Sequence, residues 1–181
     1  MTNVFTKITA FILLICSIPL MLFVATLILV FERDKIFFLQ SRVGLNHKLF
    51  TIIKLRTMQH QKTTFLGRII RKTGIDEIPQ LINIIKGDIH FIGPRPLTQF
   101  DIDRLEWNTK FHKKRWSIKP GLTGLGQLSP ICHKKMTLFW DNYYVNHHSF
   151  GLNFKIITLT FLTLFLGKNR VKKIIQNKLK K

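Results

Sequence analysis

Two adjacent carboxylates, Asp76 and Glu77, stand in the stretch KTGIDEIPQ of a chain whose formal charge is +20. Residues 35–74, just upstream, contain no acidic residue at all. An ionised carboxylate can attack an electrophile, ligate a metal or pair with a cation. A hard divalent ion such as Mg2+ prefers carboxylate oxygens combined with the phosphate oxygens of a substrate. The competing reading is ordinary helix chemistry, with Asp76 as N-cap and Glu77 in the first turn. At a helix N-terminus, and among Lys and Arg, Asp76 is expected to be ionised.

Three groups of cations accompany the pair. Lys54 and Arg56, in IIKLRTM, alternate along a strand and so share one face, a spacing that suits a pyrophosphate. Arg68 and Arg71 fall three apart on a short helix and repeat the theme. Arg95 lies in GPRP, where two prolines fix the backbone around it and reduce the entropy lost on gripping an oxyanion. Each cation group has a plainer alternative as a solvated face or turn. The histidines show no zinc spacing, and neither a G-x-x-x-x-G-K-S/T loop nor G-x-G-x-x-G occurs.

The elements that must position these groups can be read from pattern. Residues 35–58 predict a hairpin, two β-rich runs around a turn containing Gly44 and Asn46. Residues 66–72 predict a short basic helix ended by Gly74. DEIPQLINIIKG predicts a second helix from Asp76, with Pro79 in its first turn, an apolar face of Ile78, Leu81, Ile82 and Ile85, and Gly87 as stop. Residues 101–115 predict a charged, exposed helix, and KPGLTGLGQLSP a Gly/Pro loop.

The N-terminal element is of another kind. Residues 8–31 carry no charge, and about 20 apolar residues suffice to cross a bilayer. A signal peptide's apolar core is shorter, so a retained membrane segment is expected. Pro19 interrupts it, with Ser17 nearby to bond a carbonyl. A kinked span and a re-entrant hairpin both remain open, and the basic remainder argues for a cytoplasmic location after the segment. Residues 153–166 are apolar but too short to span. The tail, 168–181, holds seven Lys/Arg and no acid, which fits a helix on anionic lipid or a solvated end. Cys16 and Cys132 imply no disulfide framework. A pI of about 10.5 with 46% hydrophobic residues fits a membrane-bound protein with anionic partners better than a soluble nucleic-acid binder.

Taken together and in order, these pieces resemble the bacterial sugar transferase family, the monotopic phosphoglycosyl transferases that start membrane glycan assembly. The resemblance runs from about residue 7 to residue 166. It is carried by the proline-broken apolar segment, QSRVGLNHKLFTIIKLRTM, GIDEIPQLINIIKGDIHFIGPRPL, KPGLTGLGQ and DNYYVNHHS. It implies transfer of a sugar 1-phosphate from a UDP-sugar to a polyprenyl phosphate, such as undecaprenyl phosphate, with release of UMP. Asp76 would be the nucleophile and form a covalent phosphosugar intermediate. Glu77 would complete the dyad, Mg2+ would sit beside Asp76, and Arg95 would hold phosphate oxygens. The resemblance also favours the re-entrant hairpin, with Ser17 and Pro19 at the break.

The expected architecture is therefore α+β: a membrane-anchoring helix (1–33), a mostly helical catalytic domain with a small β-hairpin (34–167) and a basic tail (168–181). Its place would be the cytoplasmic face of a bacterial inner membrane, in polysaccharide biosynthesis. The partners would be the UDP-sugar, the polyprenyl phosphate and membrane lipid, with no nucleic acid and a homodimer left open. The chain departs from the family pattern at Ile18 for Ser, at Ala10 for an acid, at LSP after TGLGQ, and at Asn153 for Asp. The competing class is a non-catalytic, membrane-anchored basic protein that binds anionic lipid or nucleic acid. It would need the cations but not the acid pair with GPRP.

Overall fold

The computed structural model describes residues 4–107, 109–129, 134–167 and 170–171. Cys132 and nearly all of the basic tail lie outside them. Among the described residues the fold is α+β, with helices dominating three two-stranded sheets. The chain divides into two compact units, Met1–Ser41 with Thr51–Gly87, and Arg42–Phe50 with Asp88–Lys181.

In the first unit, α1 (Val4–Leu27) continues as a π-helical turn to Glu32 and packs against α3 (Gln80–Lys86). Its mean hydropathy reaches 2.8 over a membrane-length window, only 11% of which is buried. Ala10 and Val24 are the buried exceptions along α1. Helical geometry continues across Pro19. Proline offers no N–H to the carbonyl of Ile15, and the Ser17 hydroxyl donates to the Leu14 carbonyl at 2.8 Å. Arg33, in the left-handed region at φ 49°, ends the helix.

The predicted hairpin forms from β1 (Phe37–Val43) and β2 (Leu49–Leu55). Asn46 and His47 take the positive-φ positions of its turn, and Gly44 is extended. A short antiparallel pair, β3 (Met58–Gln59) with β4 (Lys62–Thr63), leads into α2 (Phe65–Thr73). Thr64 caps α2 by accepting from the Gly67 N–H, and Gly74, at φ 73°, ends it. Gly67 has to be glycine for space, since a Cβ there would lie 2.1 Å from the Thr57 carbonyl oxygen. Val24, Ile28, Leu55 and Ile70 form the core of this unit, backed by Ile36, Leu66 and Ile75. Each such side chain contributes about 1.5–3 kcal/mol on burial.

In the second unit, β5 (His90–Ile92) pairs in parallel with β6 (Gly121–Thr123), in register His90 to Gly121 and Ile92 to Thr123. Around the pair lie α4 (Gln99–Leu105), a 3-10 segment (Lys110–Ser117), α5 (Leu125–Leu128), α6 (Lys134–His147) and α7 (Phe150–Leu166). One core cluster holds Val43, Ile102, Trp107, Trp116 and Leu138. A second holds Leu128, Tyr144 and Ile156. The Tyr144 hydroxyl donates to Asn153 Oδ1 at 2.9 Å.

Two predicted helices differ from what forms. The single exposed helix expected over 101–115 is two pieces, because Glu106 turns left-handed and the Trp107 N–H bonds back to Ile102. Trp107 and Arg115 within that stretch are buried rather than exposed, as is Trp116 just beyond it. The helix expected from Asp76 begins only at Gln80. Residues Ile75–Glu77 form a separate 3-10 turn, and Asp76 makes no side-chain cap.

Candidate active site

Strand β2 ends with Leu55 in the core and Lys54 on the opposite side. The Lys54 ammonium pairs with Glu77 Oε1 at 2.6 Å. The strand itself is fixed to α3 by Asn83, which is 1% exposed. Its Nδ2 donates to the Thr51 carbonyl at 2.7 Å, and its Oδ1 accepts from the Ile53 N–H at 3.2 Å. This one buried amide ties the element before Lys54 to the helix after Glu77.

Asp76 is 8% exposed, and Glu77 beside it is half-buried. Burial, first, and the neighbouring Glu77 charge, second, push the Asp76 carboxyl above the ordinary Asp range. Lys54, Arg71 and its own backbone N–H act in the other direction without overcoming them. The cations favour the ionised form, as expected, but burial and Glu77 outweigh them in the direction of the shift. The helix macrodipole cannot help either, because α3 starts four residues later. Lys54 spends its one short contact on Glu77.

Arg71 Nε donates to the Thr57 hydroxyl at 2.7 Å, which holds the arginine over the turn after β2. Arg68 is exposed one turn earlier on α2. Arg56, just beyond the strand, pairs with Asp34 at 3.5 Å. The structure thus brings together Lys54, Arg71, Asp76 and Glu77. Arg56 is held by a different acid, and Arg68 makes no ion pair among the described residues. Arg95 belongs to the second unit. It is the exposed residue of a turn whose Gly93, Pro94 and Pro96 are buried.

Sequence reasoning missed Asn83, Thr57, Asp34 and Arg42. A polar Asn on the apolar stripe of LINIIK was the available signal for Asn83. The others are ordinary surface types whose roles arise only from tertiary contacts. No group of three His, Cys, Asp or Glu side chains that could hold a metal exists among the described residues. Any metal here would have Asp76 and Glu77 as protein ligands and would take its other oxygens from substrate.

A buried acid thus stands next to a second acid, with two cations bearing on it. The chain belongs to the bacterial sugar transferase family, whose profile matches residues 1–167. Among its relatives, the uncharacterized sugar transferase EpsL of Bacillus subtilis is 37% identical over 87% of this chain and 84% of that protein. The UDP-N-acetylgalactosamine-undecaprenyl-phosphate N-acetylgalactosaminephosphotransferase of Aeromonas hydrophila is 33% identical over 82% of this chain. The galactosyl transferase CpsE of Streptococcus agalactiae is 35% identical over 72% of it. The matches span 40% and 34% of those two longer proteins.

Proposed function

We propose that this protein transfers a sugar 1-phosphate from a UDP-sugar to a polyprenyl phosphate, with undecaprenyl phosphate as acceptor, and releases UMP. The observation that carries the reading is Asp76, buried beside Glu77 with Lys54 and Arg71 acting on it. The printed names of the Aeromonas relative and of a 36% identical Caulobacter UDP-glucose:undecaprenyl-phosphate glucose-1-phosphate transferase support the same chemistry.

An Asp76 oxygen attacks the phosphorus that bears the sugar. A bond forms between that oxygen and phosphorus, the bridge to the uridylyl phosphate breaks, and UMP leaves with the bridging oxygen. A phosphate oxygen of the lipid then attacks the same phosphorus, and the bond to Asp76 breaks. One difficult displacement becomes two easier ones. Attack of anion on anion needs positive charge along the path, and Arg71 and the exposed Arg68 supply it on this unit, while Lys54 holds Glu77 and favours ionised Asp76. Arg95 is assigned to phosphate oxygens.

Asp76 and Glu77 suit Mg2+, because two close carboxylates that repel each other, as the raised Asp76 shows, gain from a shared hard cation. Such an ion, when bound, would polarise the phosphoryl oxygens and neutralise developing charge.

The acceptor's phosphate lies at the bilayer surface, so the centre must work there. Helix α1 supplies the anchor, with a largely exposed apolar surface. The basic remainder, on a chain of charge +20, favours the cytoplasmic face of the inner membrane. The family resemblance favours a re-entrant segment and a monotopic protein, with Ser17 and Pro19 at the break, while α1 itself continues as a helix across Pro19. An exposed stripe on α7, Phe150, Phe154, Ile157, Phe161 and Phe165, fits the same interface.

The test is UMP release by the full chain in nanodiscs with undecaprenyl phosphate, Mg2+ and a panel of UDP-sugars, beside Asp76→Asn. UMP that requires lipid and metal and disappears in the variant is expected. Absence of UMP from every donor, with folded protein, would favour the non-catalytic basic membrane protein. Release that survives Asp76→Asn would retain the transfer and remove Asp76 as nucleophile.

A further inference from the structure

In the second unit, Arg115 and Asp141 are each 2% exposed. Arg115 Nε donates to Asp141 Oδ2 at 2.9 Å. The guanidinium lies over Trp116 at 4.6 Å and Trp107 at 5.3 Å from the ring centres. Desolvation pushes Arg115 down and Asp141 up, and each opposes the shift of the other. Neither side chain can reach a substrate from such depth. A buried ion pair is also a weak device for stability, since a well-packed apolar pair of similar volume serves as well or better. The remaining contact of Arg115 then calls for its own explanation: its Nη2 donates to the backbone carbonyl of Arg95.

That contact is one of three at consecutive residues. The Pro94 carbonyl accepts from the Gly121 N–H at 2.9 Å. The Arg95 carbonyl accepts from Arg115. The Pro96 carbonyl accepts from Arg42 Nη1 at 3.2 Å. Proline fixes φ at 94 and 96 and restricts Arg95. The peptide plane after Arg95 still has to be oriented, and its carbonyl is where a donor can do so. The outcome is a turn buried and bonded on every side, with only Arg95 exposed.

We infer that Arg115, held by Asp141, is a positioning residue that orients the Arg95 peptide and through it directs the Arg95 guanidinium onto the phosphate of the substrate. This rests on the reading of Arg95 as a phosphate ligand. A guanidinium displaced by about 1 Å can cost on the order of 100-fold in rate, so the effect is measurable without loss of the fold.

The experiment is a cycle on the full chain, reading kcat/KM for UMP release and the thermal midpoint of each protein. The apolar pair Arg115→Met with Asp141→Val comes close to the combined volume and removes the donor to Arg95. It is expected to unfold close to the wild-type temperature and to lose about 10- to 100-fold in kcat/KM. In an Arg95→Ala background the same pair is expected to cost nothing further. If the pair does not fold, Arg115→Lys, which keeps a cation for Asp141 but not the reach to the Arg95 carbonyl, takes its place in the cycle. A cost that persists in full in the Arg95→Ala background overturns the inference, as does an apolar pair as active as wild type. Arg95→Ala with wild-type activity overturns it together with the phosphate role of Arg95, while lipid-dependent UMP release would leave the transfer itself in place.

Discussion

Replacing Lys54 with Met removes the cation that Glu77 holds at 2.6 Å and keeps most of the side-chain stem. The stability cost is small. The two side chains are 19% and 37% exposed, and the loss of a pair so screened costs about 0.5–1 kcal/mol. A domain stable by roughly 5–15 kcal/mol remains folded. The effect on the acid pair is larger. Burial and Glu77 already push Asp76 upward, and Lys54 is the foremost group opposing them. Loss of one nearby charge from a partly buried site is worth on the order of 1.4 kcal/mol, about tenfold in rate. That tenfold is felt only where Asp76 titrates. The assay is kcat/KM for UMP release across pH, with thermal unfolding run in parallel. The variant should lose about tenfold on the acid limb and converge with wild type at alkaline pH. An equal loss at every pH would refute this reasoning and make Lys54 a direct substrate ligand, the role expected from sequence.

The acid limb of wild-type kcat/KM should lie above the ordinary Asp value of 3.8 and move to lower pH as Mg2+ rises from limiting to saturating, because metal and proton compete for Asp76; a limb that ignores Mg2+ counts against the shared site. Asp76→Asn should abolish UMP release yet unfold at a higher temperature near pH 7. A raised carboxyl makes the native state bind more protons than the unfolded chain, so ionised Asp76 lowers stability as pH climbs through its titration, and the gain of the variant should vanish as pH falls toward 3.8. Each kcal/mol relieved would register as about 2–4 °C, and an unchanged midpoint at neutral pH would contradict the upward shift. Asn83→Ala strands the Thr51 carbonyl and the Ile53 N–H, and should cost about 2–4 kcal/mol in urea unfolding; a cost well under 1 kcal/mol would remove Asn83 as the tie between strand and helix.

What was legible in the sequence follows a physical division. The hairpin at 37–55 and the helix at 65–73 were readable because alternation and the Gly74 stop act locally. The long apolar helix was readable because a membrane solvent demands a continuous run. The start of α3 was misread because Asp76 looks like an N-cap, whereas the chain reaches Gln80 through a 3-10 turn in which the Asp side chain caps nothing. Trp107 and Arg115 were misplaced on an exposed helix because charged neighbours such as Lys113 and Lys114 set the local pattern, and burial there is decided by contacts from α4 and α6. The types of the site residues were legible, but their pairings were not. Lys54 and Arg56 read as equivalent on one strand face, yet one meets Glu77 and the other Asp34.

The chain buries two aspartates in opposite ways, and the contrast bears on which of them is chemical. Asp141 is deeper, at 2% exposure, and has a guanidinium at 2.9 Å backed by two tryptophans. Its desolvation is answered by a direct partner, as a structural carboxylate requires. Asp76, at 8% exposure, is placed next to a like charge. The nearest short cation contact goes to Glu77, the more exposed of the two acids. A purely structural Asp76 would gain from exchanging these partners, and a cap would gain from a bond to a helix N–H that it does not make. The unit is held instead by its apolar cluster, by Asn83 and by the close contact at Gly67. None of these needs the acid pair. An unfavourable charge arrangement where the fold does not depend on it supports the proposed chemical role of Asp76 over a structural one.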